Sequence, residues 1–258
     1  MRVIVNGLAV EYEEQGSGNA TLMLHGWGDT LHTFDDLAGT LSGRIVRLSL
    51  PGFGESDFPK NTWTLDDYIR FIKSFIEKLR IHPDILVGHS MGGRIILKGV
   101  STGMLRARKI VLIASAGVAE RNTFRNYSIG LLAKIGRILT SVPPFNFMRD
   151  RLRKYLYKTI KSDYLSSGAL RATFLNIIKE DLSSAAQTIT VPTLILWGEN
   201  DAATPLSEGE KLHGLIRASV LRVIPHAGHF VHQEKPHEIS SIIREFIPLE
   251  AGSNASRT

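Results

Sequence analysis

Short apolar runs and helical periodicities alternate along the first 115 residues. Arg2–Asn6 and Leu8–Tyr12 flank Asn6-Gly7, a dipeptide suited to a tight hairpin turn. Thr21–His25 and Arg44–Leu50 read as buried strands that end in Gly or Pro. Over Thr64–Leu79 the apolar positions Leu65, Tyr68, Ile69, Ile72, Phe75, Ile76 and Leu79 recur at the spacing of one helix face. Thr64 with Asp66 and Asp67 supplies an N-cap and first-turn acids. Asp84–Gly88 reads as a strand, Met91–Thr102 as a helix and Lys109–Ser115 as a strand. A hairpin followed by β-α-β-α units predicts an α/β fold, a mostly parallel central sheet with helices on both faces.

The rhythm changes at Gly117. From there to Ile189 only helical patterns are found, with stripes at Ile129, Leu132, Ile135, Leu139 and Val142, then at Met148, Leu152, Tyr155, Leu156 and Thr159. Pro143-Pro144 separates the two, and a third helix is expected over about Gly168–Gln187. Strand and helix signals then resume, with strands at Val191–Trp197 and Val220–Ile224 and helices at Leu206–Ile216 and His237–Phe246. The expected organisation is a sheet-bearing core over 1–116 and 190–248, a helical insertion over 117–189 and a flexible tail over 249–258.

Composition narrows the class. The chain has 258 residues and is 43% hydrophobic and 22% charged, as in ordinary globular proteins. It has no apolar run of membrane-spanning length, and Met1–Gly7 has neither the apolar stretch nor the cleavage site of a signal peptide, so a cytoplasmic protein is expected. Zero Cys excludes disulfides, thiolate metal sites and a thiol nucleophile. The net charge of +6 is local: residues 117–190 hold 12 Lys and Arg against 5 Asp and Glu, and the remainder holds 19 against 20. No nucleic-acid motif accompanies it, so no nucleic-acid partner is expected. Arg149, Arg151, Arg153, Lys154 and Lys158 lie opposite the second apolar stripe of the insertion. A solvated helix face is the favoured account of them, and attraction to an anionic lipid surface or to an acidic substrate is the alternative.

The strongest chemical signal is Gly88-His89-Ser90-Met91-Gly92-Gly93, between an apolar strand and a helix. A turn that sharp holds the serine backbone in a strained conformation, and the glycines leave room for it. The Ser90 hydroxyl would stand at a helix N-terminus, where developing negative charge is favoured. Serine needs a base. His229, in Pro225-His226-Ala227-Gly228-His229-Phe230, follows the last strand and falls at the carboxyl edge of the sheet; His226, assigned to the strand end, and His232, on the next helical turn, are its rivals. A metal cluster of these three histidines is disfavoured, because Pro225 and Gly228 break any regular helix and no acid lies among them. The imidazole needs an acceptor to fix its tautomer. Asp201, in a loop clear of its strand, is preferred over Glu199, which is assigned a structural role, and over Glu120. In His25-Gly26-Trp27-Gly28 two glycines allow close backbone approach, so the Trp27 and Met91 N–H groups are the expected oxyanion hole, with His25 and His89 bracing the turns.

These motifs occur in one order: His25-Gly26-Trp27-Gly28, Leu50-Pro51-Gly52-Phe53-Gly54-Glu55-Ser56, Gly88–Gly93, then Asp201 with Gly228-His229. On them the chain resembles the α/β-hydrolase superfamily over about residues 1–248. The resemblance implies the α/β-hydrolase fold with a helical cap at 117–189. Serine at position 90 is similar to the esterase, lipase and carbon–carbon hydrolase branches rather than to those with Asp there. The expected activity is hydrolysis of small-molecule esters with an apolar, short- to medium-chain acyl group, with no metal or organic cofactor. A carbon–carbon bond hydrolase of the meta-cleavage-product type is the alternative, followed by a ligand receptor on the same fold.

Overall fold

The computed structural model describes residues 1–115, 117–118 and 170–247. The chain divides into two units, Met1–Val118 with Ser167–Thr258, and Ala119–Ser166. Both apolar stripes of the expected insertion, its basic face, Glu120 and the tail lie outside the described residues.

Eight strands form one sheet: β1 Arg2–Val5, β2 Leu8–Gln15, β3 Ala20–Leu24, β4 Arg44–Leu48, β5 Pro83–His89, β6 Lys109–Ile113, β7 Thr193–Gly198 and β8 Ser219–Ile224. Their spatial order is β1-β2-β4-β3-β5-β6-β7-β8. β2 pairs antiparallel with β1 and β4, and every pairing from β4 to β8 is parallel. Asn6 and Gly7, both at positive φ (50° and 80°), make the β1–β2 turn.

The helices are α1 Asp35–Thr40, α2 Leu65–Leu79, α3 Met91–Ser101, α4 Arg171–Lys179, α5 Ser183–Gln187, α6 Leu206–Leu215, α7 Val231–Glu234 and α8 Pro236–Phe246, with a 3₁₀ turn at Leu31–Phe34 before α1. α2 begins where the cap chemistry places it: Thr64 accepts from the Asp67 N–H, and the Asp67 carboxylate accepts from the Thr64 N–H. Side chains alternate across the sheet. Leu22, Leu24, Leu86, Leu112 and Trp197 join the apolar faces of α2, α3 and α6; Met23, Val87, Val111, Ile113 and Leu196 join Phe34, Val231, Ile239 and Ile243 on the other side.

Three elements differ from the sequence pattern. The 3₁₀ turn and α1 had no counterpart in it, because their apolar contacts span barely two turns. The helix expected over 168–187 is two helices, broken where Asp181 accepts from the Ser183 N–H at 2.9 Å and so starts a new turn. Residues 170–189, expected in the insertion, share a compact unit with the sheet. Leu170, Ile177, Leu182 and Ala186 are buried in the α2–α3 core, and the buried Arg94 donates to the carbonyls of Ile177 and Glu180, both at 2.6 Å. A charged guanidinium thus satisfies orphan carbonyls at the end of α4.

The junction of β3, β5 and α3 is the tightest approach that bears on the site. A Cβ at Gly92 would lie 2.0 Å from the Leu24 carbonyl oxygen, and one at Gly93 would lie 1.8 Å from Ser115 Oγ. Backbone cannot yield as a side chain can. Gly92→Ala is therefore expected to destabilise the fold by about 3 kcal/mol or more, the upper range for overpacking; a urea titration in which Gly92→Ala matches the parent would contradict this geometry.

Candidate active site

β5 ends at His89 and α3 starts at Met91, so Ser90 alone makes the turn between them, at φ 48° and ψ −110°. Non-glycine residues rarely adopt this conformation. It persists because both sides are tied down: the Ser90 N–H donates to the Ile113 carbonyl at 2.9 Å, and the Ser90 carbonyl accepts from Arg94. Ser90 is half-buried. Met91 opens the helix, so its N–H is among those with no acceptor inside it.

The loop after β3 runs beside this turn. A Cβ at Gly26 would lie 2.9 Å from His89 Nδ1 and 3.3 Å from Ser90 Cβ. His25 holds the loop from beneath: one ring nitrogen lies 2.7 Å from the Gly26 carbonyl, and the other accepts the Leu50 N–H at 2.8 Å. The Trp27 ring is edged by Phe53 and tilted against Phe174 of α4, each at 5.0 Å between centroids. The expected oxyanion donors thus come from two chain segments that converge on Ser90.

At the carboxyl ends of β7 and β8, His229 Nδ1 lies 2.8 Å from Asp201 Oδ2. The Asp201 side chain is fully buried, and that of His229 is 15% exposed. Asp201 Oδ1 accepts the N–H groups of Ala203 and Thr204, and its Oδ2 accepts the Thr204 hydroxyl at 2.7 Å. Burial pushes the carboxyl's pKa up, but these bonds and the charge of His229 outweigh it and hold Asp201 below the usual carboxylate range. His89 joins the two halves of the site. Its ring lies 4.7 Å from that of His229, and its Nε2 donates to the His229 carbonyl at 3.1 Å.

The alternatives fall elsewhere. β8 stops at Ile224, so His226 is not at the strand end; it occupies an exposed turn at φ 57° and donates its N–H to Glu199. Glu199 is exposed and ties down this turn. His232 is buried against Phe34, with Nε2 2.9 Å from the Thr33 hydroxyl. Among the described residues the one trio of potential metal ligands is Glu13, His32 and Asp35, and Arg47 already bridges its two carboxylates. A cleft of about 520 Å³ opens at the opposite edge of the sheet, but its polar lining, Lys73, Glu77, His82, Arg106 and Arg108, is exposed. Thr204 escaped the sequence reading, although Asp201-x-x-Thr204 is a recognisable side-chain turn.

A doubly covered, mostly parallel sheet with a strained serine at a strand–helix turn is the architecture of an α/β hydrolase. The chain belongs to the alpha/beta hydrolase family, which it matches over residues 21–242. It is 28% identical over 266 residues to the uncharacterized hydrolase YugF of Bacillus subtilis, an alignment covering 95% of this chain and 97% of that protein. It is 22% identical to the 2-hydroxy-6-oxo-6-(2'-aminophenyl)hexa-2,4-dienoic acid hydrolase of Metapseudomonas resinovorans, over 96% of this chain and 91% of that one. Among solved structures it is similar to a thermophilic esterase from Thermogutta terrifontis, with TM-score 0.72, 21% identity, and 96% and 98% of the two chains covered. Among the described residues no helix is long and apolar enough to cross a membrane.

Burial keeps three imidazoles of this region neutral. It lowers His25 to about 4 and His232 to about 3, and it places His89 well below the ordinary value, with His232 and His229 adding to the effect. Each takes up a proton on unfolding below its ordinary value near 6.5, so the unfolded state binds more protons and stability falls as pH drops from about 6.5 toward 4. The slope is up to about 1.4 kcal/mol per pH unit for each histidine. Urea midpoints are expected to fall steeply from pH 7.5 to pH 5, and His232→Gln is expected to remove about a third of the dependence. A midpoint that does not change over that range would contradict the neutral burial of these rings.

Proposed function

We propose that the protein is a serine hydrolase that cleaves carboxylic esters through an acyl-enzyme. The observation that carries this reading is the pairing of a strained, accessible Ser90 with a buried Asp201–His229 couple at the same sheet edge. Ser90 Oγ attacks the ester carbonyl and passes its proton to His229 Nε2. That imidazole can accept there because Asp201 holds the proton on Nδ1. The N–H groups of Trp27 and Met91 receive the oxyanion. His229 then protonates the departing alcohol, and a water deprotonated by the same histidine attacks the acyl carbonyl and frees Ser90. The reaction as proposed uses no metal or organic cofactor.

The apolar acyl preference rests on the half-buried Trp27 and Phe174 beside the proposed oxyanion donors. Such a wall favours short- to medium-chain acyl groups over charged ones. The relative from Metapseudomonas resinovorans supports a second reading, hydrolysis of a carbon–carbon bond in a dienoate diketone with the same residues.

A panel of p-nitrophenyl esters from acetate to palmitate, run beside a 2-hydroxy-6-oxo-dienoate, separates the two readings. Ester turnover peaking at short or medium chains supports the first, and turnover of the dienoate alone supports the second. Ser90→Ala, which relieves no packing, is expected to lose about 10⁴-fold or more in kcat with little change in Tm. If the variant keeps more than a few per cent of activity, Ser90 is not the nucleophile.

A further inference from the structure

We propose that Thr204 is a positioning residue of the Asp201–His229 pair, setting both the direction and the strength of the carboxylate's hold on the imidazole. The inference deepens the reading of these residues as acid and base. Thr204 is 7% exposed, and its Oγ1 meets three polar atoms: Asp201 Oδ2 at 2.7 Å, His229 Nδ1 at 3.2 Å and the Ala114 carbonyl at 3.5 Å. The hydroxyl has one proton, and the shortest contact takes it, so Thr204 donates to Asp201. The hydroxyl's lone pair then faces the His229 Nδ1–H, which points at the same Oδ2 from 2.8 Å. That N–H is shared between carboxylate and hydroxyl.

Four donors therefore fill the Asp201 carboxylate: two backbone N–H groups on Oδ1, and His229 with Thr204 on Oδ2. A carboxylate offers about four acceptor sites, so no freedom to rotate remains. Thr204 is itself fixed, since its carbonyl accepts the Trp197 indole N–H at 2.8 Å and Pro205 follows directly. The hydroxyl has two consequences. It holds Oδ2 in the line of the imidazole N–H, and it draws charge from the carboxylate, so the His229 imidazolium formed during reaction is held less tightly and returns its proton sooner. The other groups facing the pair are His89 against the His229 ring, His232 behind it and Glu208 of α6, which acts on Asp201. None of them touches the Thr204 hydroxyl, so its removal changes only that group's own contacts with Asp201, His229 and the Ala114 carbonyl.

Thr204→Val keeps the shape and the backbone bonds and deletes only the hydroxyl; Thr204→Ser keeps the hydroxyl. The Val variant is expected to lose about fivefold to tenfold in kcat on a p-nitrophenyl ester with KM nearly unchanged, in the range of one intramolecular hydrogen bond. The acid limb of its kcat profile should move up by about half a pH unit, because the carboxylate keeps more charge, and Ser should restore both. The downfield Nδ1–H proton resonance of His229 should shift in the Val variant and return in the Ser variant. That readout needs no substrate, so it tests Thr204 even if esters are not turned over. A Val variant that only melts earlier, with kcat, acid limb and Nδ1–H resonance unchanged, would overturn the proposal and leave Thr204 a packing residue.

Discussion

The close approach of α3 to the ends of β3 and β5 governs the rest of the structure. Glycines at 88, 92 and 93 let helix and sheet meet at distances that no Cβ would allow, and the chain between them has one residue in which to turn. That residue, Ser90, takes a φ of 48°. Such strain costs of order 1–3 kcal/mol and survives only where the surroundings determine it. Here the Ile113 carbonyl on one side and the first turn of α3 on the other do so. The result places Ser90 at the N-cap of α3, directly past the end of β5.

The other parts of the site are set by the same sheet edge. Parallel strands bring the ends of β3, β5, β7 and β8 together, and the loops that follow them carry Trp27, Ser90, Asp201 and His229. A row of neutral histidines fills the space between these loops: His25 under the Trp27 loop, His89 under His229, and His232 behind His89. Neutral rings can be stacked and buried where ammonium or guanidinium groups would need counter-charges. They brace the loops without adding fixed charge beside the Asp201–His229 pair.

Elements with a sustained period were legible from the residues. α2 shows seven apolar positions on one face behind a capping Thr64, and the strands carry the β-branched and Leu-rich runs of a sheet covered on both sides. The 3₁₀ turn and α1 were not, since four or six residues hold too few apolar positions to show a period. The break between α4 and α5 depends on one side chain, Asp181, which offers the backbone an alternative to continuing the helix. Within the site, the principal candidates could be read because Gly-x-Ser-x-Gly sits at a strand end and Gly-His in the loop that follows the last strand. Thr204 makes a local turn with Asp201, but its contact with His229, like those of Arg94 with the end of α4, joins residues distant in sequence. Arg94 stands among the apolar residues of the first two turns of α3, and that was its one signal.

Ester hydrolysis as proposed requires Ser90 to form a covalent acyl intermediate at this turn. Rapid mixing with a p-nitrophenyl ester whose deacylation is slow tests it most directly, with the quenched protein digested and its peptides weighed. The expected result is a burst of about one p-nitrophenolate per chain, with the acyl mass on the peptide that contains Ser90. Turnover without a burst, or an acyl group carried by another residue, would contradict it.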